Sequence, residues 1–329
     1  MVAYENSGMR SYRRIKTSES NTVFIEPKGG IPFKEVELNY QLHGNSPRVT
    51  LYLPEDELDP NLNGHIAGYM ASDEAYRETA ASMASEGYPS FTVQPAHEQS
   101  RLSYLKNPNH ITDPALYQSM AFHRAVGVAL NYAGDRRING IGHSYGGSIL
   151  GHVAAFEDTL EYATFEASAA VDIENVPVNH ITGLGGMTEE VKLILKKFSN
   201  KEARDKRPEL MSRSLEHVKQ LGRRGRELVY LMSSPDLSTN VQAAHEKGVV
   251  TSGLFHDLDR FFRSKRMQKA LSKRSLFNVN HFSEGTYHVD PQLRPMENAR
   301  LHIDMLEKMK AFKLAQKIEA SRADRSRLA

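Results

Sequence analysis

"RINGIGHSYGGSILG", residues 137–151, changes character at its middle. It opens as a short strand-like run, closes as an apolar helix former, and between the two places Ser144 with a glycine two positions before it and another two after. Gly and Ser mark turns in general, but this spacing has a narrower physical use. Where a strand becomes a helix within one residue, that residue takes strained backbone angles, and side chains two positions to either side would run into neighbouring backbone. Such a turn lifts the serine hydroxyl clear of a sheet and sets a helix N-terminus beneath it. The backbone N–H of the next residue, Tyr145, then points to where an oxyanion would develop.

Outward from this turn the chain alternates. "KEVELNYQLHG" and "RVTLYLPE" carry the period of two expected of strands and suggest an antiparallel start. "NGHIAGYMAS" is a short apolar run. "DEAYRETAASMASEGY" follows at helical period, with Asp73 as N-cap and Gly87 as stop. "PSFTVQP" predicts another strand. "DPALYQSMAFHRAVGVALNYAG" predicts a helix with Pro114 at its first position and Gly134 past its end. "RRINGIG", "GSILGHVAAFED" and "LEYATFEASAAV" continue as strand, helix and strand. Alternation of this kind predicts an α/β fold, a mostly parallel central sheet with helices on both faces. Ser144 then stands at the C-terminal end of a strand, where ligands collect in such sheets.

Residues 187–232, "MTEEVKLILKKFSNKEARDKRPELMSRSLEHVKQLGRRGRELVYLM", interrupt the alternation with a helical, basic stretch. The predicted organisation is a polar lead-in over 1–34, a first core part over 35–180, an inserted helical cap over 181–245 and a second core part over 246–329. The last part holds the strand "GVVTSGLF", a helix "RFFRSKRMQKALS", the strand "SLFNVNHF" and a final helix from about Arg294 with a charged, fraying tail.

Composition narrows the chemistry. The 329 residues include no cysteine, which removes disulfides, zinc–cysteine sites and a thiol nucleophile. The 42 Lys+Arg nearly balance the 40 Asp+Glu, so there is no global charge footprint for nucleic acid, and the basic cap lacks interleaved aromatics for base stacking. "MVAYENSGMRSYRRIKTSES" lacks the apolar core of a signal peptide, and no run reaches the length of a membrane span. The expectation is a cytoplasmic protein whose partner is a small molecule.

A serine hydroxyl needs a base, and the base needs an orienting acid. Behind an elbow of this kind the acid and then the histidine follow in chain order. His143 is part of the turn, His152 lies on the following helix, His281 sits within a strand and His302 in the last helix. His288, in "SEGTYHVDP" between an apolar strand and that helix, is the candidate base. The acid should follow "GVVTSGLF", where "HDLDRFF" offers Asp257 and Asp259; Asp236 precedes the strand and ranks last. A second oxyanion donor is expected from the loop after "GHIAGYM", with Gly68 permitting the turn and the Tyr69 N–H donating.

Together these segments resemble the α/β-hydrolase fold superfamily over about residues 35–312. "GIGHSYGG" resembles its nucleophile elbow, "AGYMAS" its oxyanion loop, "SMASEGYPSFTVQPAHEQS" its helix, Gly-Tyr, strand and loop passage, "GLFHDLDRFF" its acid loop and "EGTYHVDP" its histidine loop. Ala67 stands where the family often has histidine, and His256 where it has glycine. The resemblance implies a serine hydrolase of the esterase or lipase kind, with Ser144, Asp259 and His288 as triad, Tyr69 and Tyr145 as oxyanion donors, and no metal or organic cofactor. Aspartate-nucleophile chemistry, as in epoxide hydrolases, is disfavoured by the elbow serine. A C–C bond hydrolase, an acyltransferase or a non-catalytic binder would use the same residues.

Overall fold

The computed structural model describes residues 17–41, 47–67, 73–94, 114–168, 237–259, 275–286 and 293–328. Within them the strands are β1 (Thr17–Ile25), β2 (Phe33–Tyr40), β3 (Arg48–Pro54), β4 (Leu62–Ile66), β5 (Ser90–Val93), β6 (Ile138–His143), β7 (Leu160–Glu166), β8 (Val250–His256) and β9 (Val279–Ser283). The helices are α1 (Glu74–Ser85), α2 (Pro114–Ala133), α3 (Tyr145–Phe156), α4 (Leu237–Glu246) and α5 (Pro295–Leu328).

One sheet contains all nine strands, in the order β1-β2-β3-β5-β4-β6-β7-β8-β9. β1 to β3 run as an antiparallel meander and β3 pairs antiparallel with β5, while every pairing from β5 through β9 is parallel. The expected α/β architecture is therefore present, with Ser144 following the central strand β6.

The two faces of the sheet are chemically different. Because side chains alternate along a strand, Ile138, Ala163 and Phe255 point to one face, where α2, α3 and α4 close an apolar core that includes Val126, Ile149, Leu150 and Val241. The opposite face, under α1 and α5, holds smaller apolar clusters such as Met83 with Ile141 and Ala299, and Tyr162 with Leu306 and Met309. Between those clusters the same face carries buried polar side chains: Asn63, Asn139 and Asn61 are joined at 3.0 Å per bond near the strand starts, and Ser252 meets Thr164 at 3.0 Å in mid-strand. Burial of such groups is tolerated only when they are hydrogen-bonded to one another.

Four local expectations change. Part of the polar lead-in, Thr17–Ile25, is an edge strand paired with β2. Its side chains are mostly exposed, so the burial period that reveals inner strands is missing. Asp73 makes no side-chain cap for α1. Its carboxylate instead accepts from Arg48 at 2.8 Å, while Gly87, at φ 86°, does end the turn after the helix. At the far end of the predicted cap, Leu237–Glu246 is a core helix whose Leu237, Val241 and Ala244 are buried in the main cluster. The remainder of the cap to residue 236, and the helix expected after Asp259, lie outside the described residues. The C-terminal segment stays helical to Leu328, in keeping with a sequence that holds no Gly or Pro after Pro295 at its first position and is rich in strong helix formers. None of the described helices is long and apolar enough to cross a membrane.

Candidate active site

Ser144 sits between β6 and α3 with φ 55° and ψ −120°. Among the described residues only Ser144 and Ala167 are non-glycine residues at positive φ. Conformations of this kind cost of order 1–3 kcal/mol and persist where the surroundings dictate them. Here the surroundings are backbone. A Cβ on Gly142 would lie 2.5 Å from the Gly146 carbonyl oxygen, and one on Gly146 would lie 2.3 Å from the Ile66 carbonyl oxygen. The flanking glycines thus let α3 start directly against the ends of β6 and β4. The Ser144 amide donates to the Glu166 carbonyl at 2.8 Å, which fixes the elbow to β7.

Tyr145 is the first residue of α3, in the turn whose amides have no carbonyl within the helix to bond. It follows Ser144 directly at the end of β6. The chain toward Tyr69 leaves β4 beside this turn, since the Ile66 and Ala67 carbonyls are the atoms that crowd Gly146. Tyr69 itself lies outside the described residues.

Beyond β8 and β9 the two remaining loops leave the sheet hydrogen-bonded to each other. The Asp257 amide donates to the Ser283 carbonyl at 3.1 Å and the Leu258 amide to the Thr286 carbonyl at 3.0 Å. The Thr286 amide returns a bond to the Asp257 carboxylate at 3.0 Å. Asp257 is exposed and occupied in this turn, whereas Asp259 is 4% exposed. His288 follows Thr286 by two positions and lies outside the described residues, as does Asp236. His281 is placed within β9, with its Nδ1 at 3.4 Å from Lys308 Nζ of α5.

A buried cluster beneath the elbow escaped the sequence reading. His143, Glu166 and His256 are the last residues of β6, β7 and β8 and share the sheet face covered by α1 and α5. Glu166 accepts from His256 Nε2 at 3.1 Å through one oxygen and from His302 Nε2 of α5 at 3.0 Å through the other. The Tyr76 hydroxyl of α1 lies 2.6 Å from His143 Nδ1, and the His65 ring lies between Tyr76 and His302. Burial alone would push the Glu166 carboxyl up, but His302, the hydrogen bonds from His256 and His302, and His143 outweigh it and hold the group well below the usual carboxylate range. A carboxylate only accepts, so each of these two imidazoles carries its proton on Nε2.

His65 is held neutral. Burial pushes its imidazole down to about 3, assisted by His302 and opposed by Glu166. The unfolded chain takes up this proton near pH 6.5 and the folded chain only near 3, so below about pH 6.5 the unfolded state binds more protons and stability falls, by about 1.4 kcal/mol for each pH unit. Glu166 adds its own loss only below the ordinary carboxylate range. His65→Leu is therefore expected to flatten the decline in unfolding free energy between pH 6.5 and 4.5, measured by urea titration at several pH values. Parallel pH slopes in wild type and variant would refute a neutral buried His65.

Solved structures share the fold of the chain. A lipase candidate from Acinetobacter baumannii AYE aligns over 94% of this chain and 98% of its own, with a TM-score of 0.58 at 13% identity. The proline iminopeptidase of Mycobacterium smegmatis aligns over 85% and 99%, with a TM-score of 0.55 at 15% identity. The chain has the α/β-hydrolase fold. A further protein of that fold, the α/β hydrolase GrgF from Penicillium sp. sh18, aligns over 91% of this chain and 99% of its own, with a TM-score of 0.54 at 15% identity. No protein-family model matches the chain, and neither does the sequence of any curated protein. At these identities the likeness establishes the α/β-hydrolase fold, and the chemistry must be argued from the residues.

Proposed function

We propose that the protein is a serine hydrolase acting on a carboxylic ester. The observation that carries this reading is Ser144 itself, held at φ 55° on a strand-to-helix turn that two backbone-crowded glycines make possible. An alcohol side chain placed in strain above a helix N-terminus is arranged to be approached by an electrophile. The names borne by the structural neighbours, a lipase candidate and a peptidase among them, agree with attack on an acyl carbon.

In this reading His288 removes the proton as Ser144 Oγ bonds to the carbonyl carbon. Asp259 keeps the imidazole in the productive tautomer. The Tyr145 and Tyr69 amides receive the oxyanion. Collapse of the tetrahedral intermediate breaks the acyl–oxygen bond, and the alcohol leaves with the proton from His288. Water, deprotonated by the same histidine, then releases the acid and restores Ser144. The sequence calls for no metal or organic cofactor, and the partner is a small ester-like molecule in the cytoplasm.

The test is covalent. A fluorophosphonate probe is expected to modify Ser144 and no other serine, read by mass spectrometry of the labelled peptide, and the same protein is expected to turn over at least one member of a series of chromogenic esters of rising acyl length. A folded protein that takes no label, or takes it elsewhere, would falsify the assignment.

A further inference from the structure

Glu166 joins three parts of the site. Its backbone carbonyl accepts the Ser144 amide at 2.8 Å. Its carboxylate accepts from His256, the residue that ends β8, and the His256 carbonyl in turn accepts the Asp259 amide at 3.2 Å. The second carboxylate oxygen is occupied by His302 of α5. All three side chains are fully buried. The following residue, Ala167, is held at φ 43° with its amide donating to the Leu254 carbonyl at 2.8 Å, so the end of β7 is bent sharply at the point where it carries this carboxylate.

A buried charge flanked by imidazoles is a poor device for stability alone, because apolar side chains of similar volume usually serve as well or better. What it supplies is a fixed distance. Both oxygens have hydrogen-bond partners on separate elements, and the connection from Ser144 to Asp259 runs through a single residue on each of β7 and β8. We propose that Glu166 is a positioning residue of the Ser144 site, its carboxylate holding His256 so that the acid loop at 257–259 keeps its place relative to the nucleophile elbow. The proposal rests on the reading of Ser144 as nucleophile and Asp259 as orienting acid. Glu166 touches neither substrate nor reacting atoms in this role. The low proton affinity of its carboxyl is consistent with a group that stays ionised throughout the working range.

The experiment compares wild type, Glu166→Gln, His256→Met and His256→Gln. Each is titrated with the fluorophosphonate probe to count active sites, assayed for kcat and KM on the best ester across pH, and melted to record Tm. Glu166→Gln is expected to lower kcat per titrated site about 100-fold, the loss typical of a misplaced catalytic group, with KM changed less than threefold. The acid limb of its pH profile is expected to move to lower pH, because a displaced Asp259 no longer favours the imidazolium. His256→Met should show the same loss. His256→Gln, whose side-chain amide can donate from the place of Nε2, should recover most of the rate missing in His256→Met. A merely structural Glu166 would lower Tm and the number of titrated sites but leave kcat per site and the pH profile alone, and that result overturns the proposal. Should Glu166→Gln not fold, the two His256 variants decide: rescue by Gln supports the proposal, and equal kcat per site in both overturns it. A wild-type protein that takes no label at Ser144 removes the underlying reading and the proposal with it, whereas a labelled wild type with unaffected variants overturns the proposal alone.

Discussion

His288→Ala is expected to lower ester turnover roughly 10⁴- to 10⁶-fold, while His281→Ala leaves it within a few-fold and both proteins keep wild-type circular dichroism. The size follows from what the base does. Without it Ser144 must lose its proton to water, and the residual rate is what the oxyanion donors and substrate binding supply unaided. The contrast with His281 follows from its position. It lies within β9, beside Lys308 of α5, and its register partner is Leu254, so it belongs to the face covered by α1 and α5. His288 instead follows the loop at 283–286, which is hydrogen-bonded to the turn that precedes Asp259. Wild-type activity should fall in acid as one group near histidine's ordinary value, about 6.5, takes up a proton. Loss of turnover in His281→Ala with a normal His288→Ala would move the base into the strand.

What the sequence revealed of this fold is what backbone sterics dictate. Gly142 and Gly146 were legible around Ser144 because the chain passes there too closely for a side chain, and only glycine satisfies that. The inner strands were legible because they are buried on both faces and bounded by turns. β1 was not, since an exposed edge strand carries a polar sequence that a loop would also carry. The helix Leu237–Glu246 was absorbed into the basic stretch before it, because its apolar stripe is only Leu237, Val241 and Ala244.

The polar cluster was missed for a different reason. Its members are distant in sequence, and each has an ordinary explanation on its own: His143 as part of the elbow, Glu166 as a strand end, His256 as a replacement in the acid loop, His302 as one helix residue. A signal was nonetheless present. Asn139 with His143, Thr164 with Glu166, and Ser252 with His256 place polar groups on one face of three successive buried strands. Unpaired, such groups would destabilise a core, so their repetition on one face required them to meet. His302 carried no comparable mark, because only the packing of α5 brings it to Glu166.

Asp259→Asn is expected to reduce turnover on the order of 10⁴-fold, and Asp257→Asn about tenfold or less. Asparagine preserves the shape of the acid but presents an amide N–H that donates to Nδ1 of the histidine, so the ring proton moves to Nε2 and the base loses its lone pair on the reacting side. For Asp257 the structure supplies another occupation. Its carboxylate accepts the Thr286 amide at 3.0 Å, closing the turn that links the loops after β8 and β9. Asparagine can still accept there through its carbonyl oxygen, so the variant should keep most of the turn and lose only some of its rigidity. Asp259 lies past that turn, 4% exposed, with its amide anchored to the His256 carbonyl. On this basis Asp257 holds the loop together, and the role proposed for Asp259 is to orient His288. Turnover of both variants per titrated active site, with circular dichroism to confirm folding, measures the division. A loss near 10⁴-fold at Asp257 with a nearly normal Asp259→Asn would shift the acid by two residues, and two active variants would transfer the role to a carboxylate elsewhere, Asp236 being the next in rank.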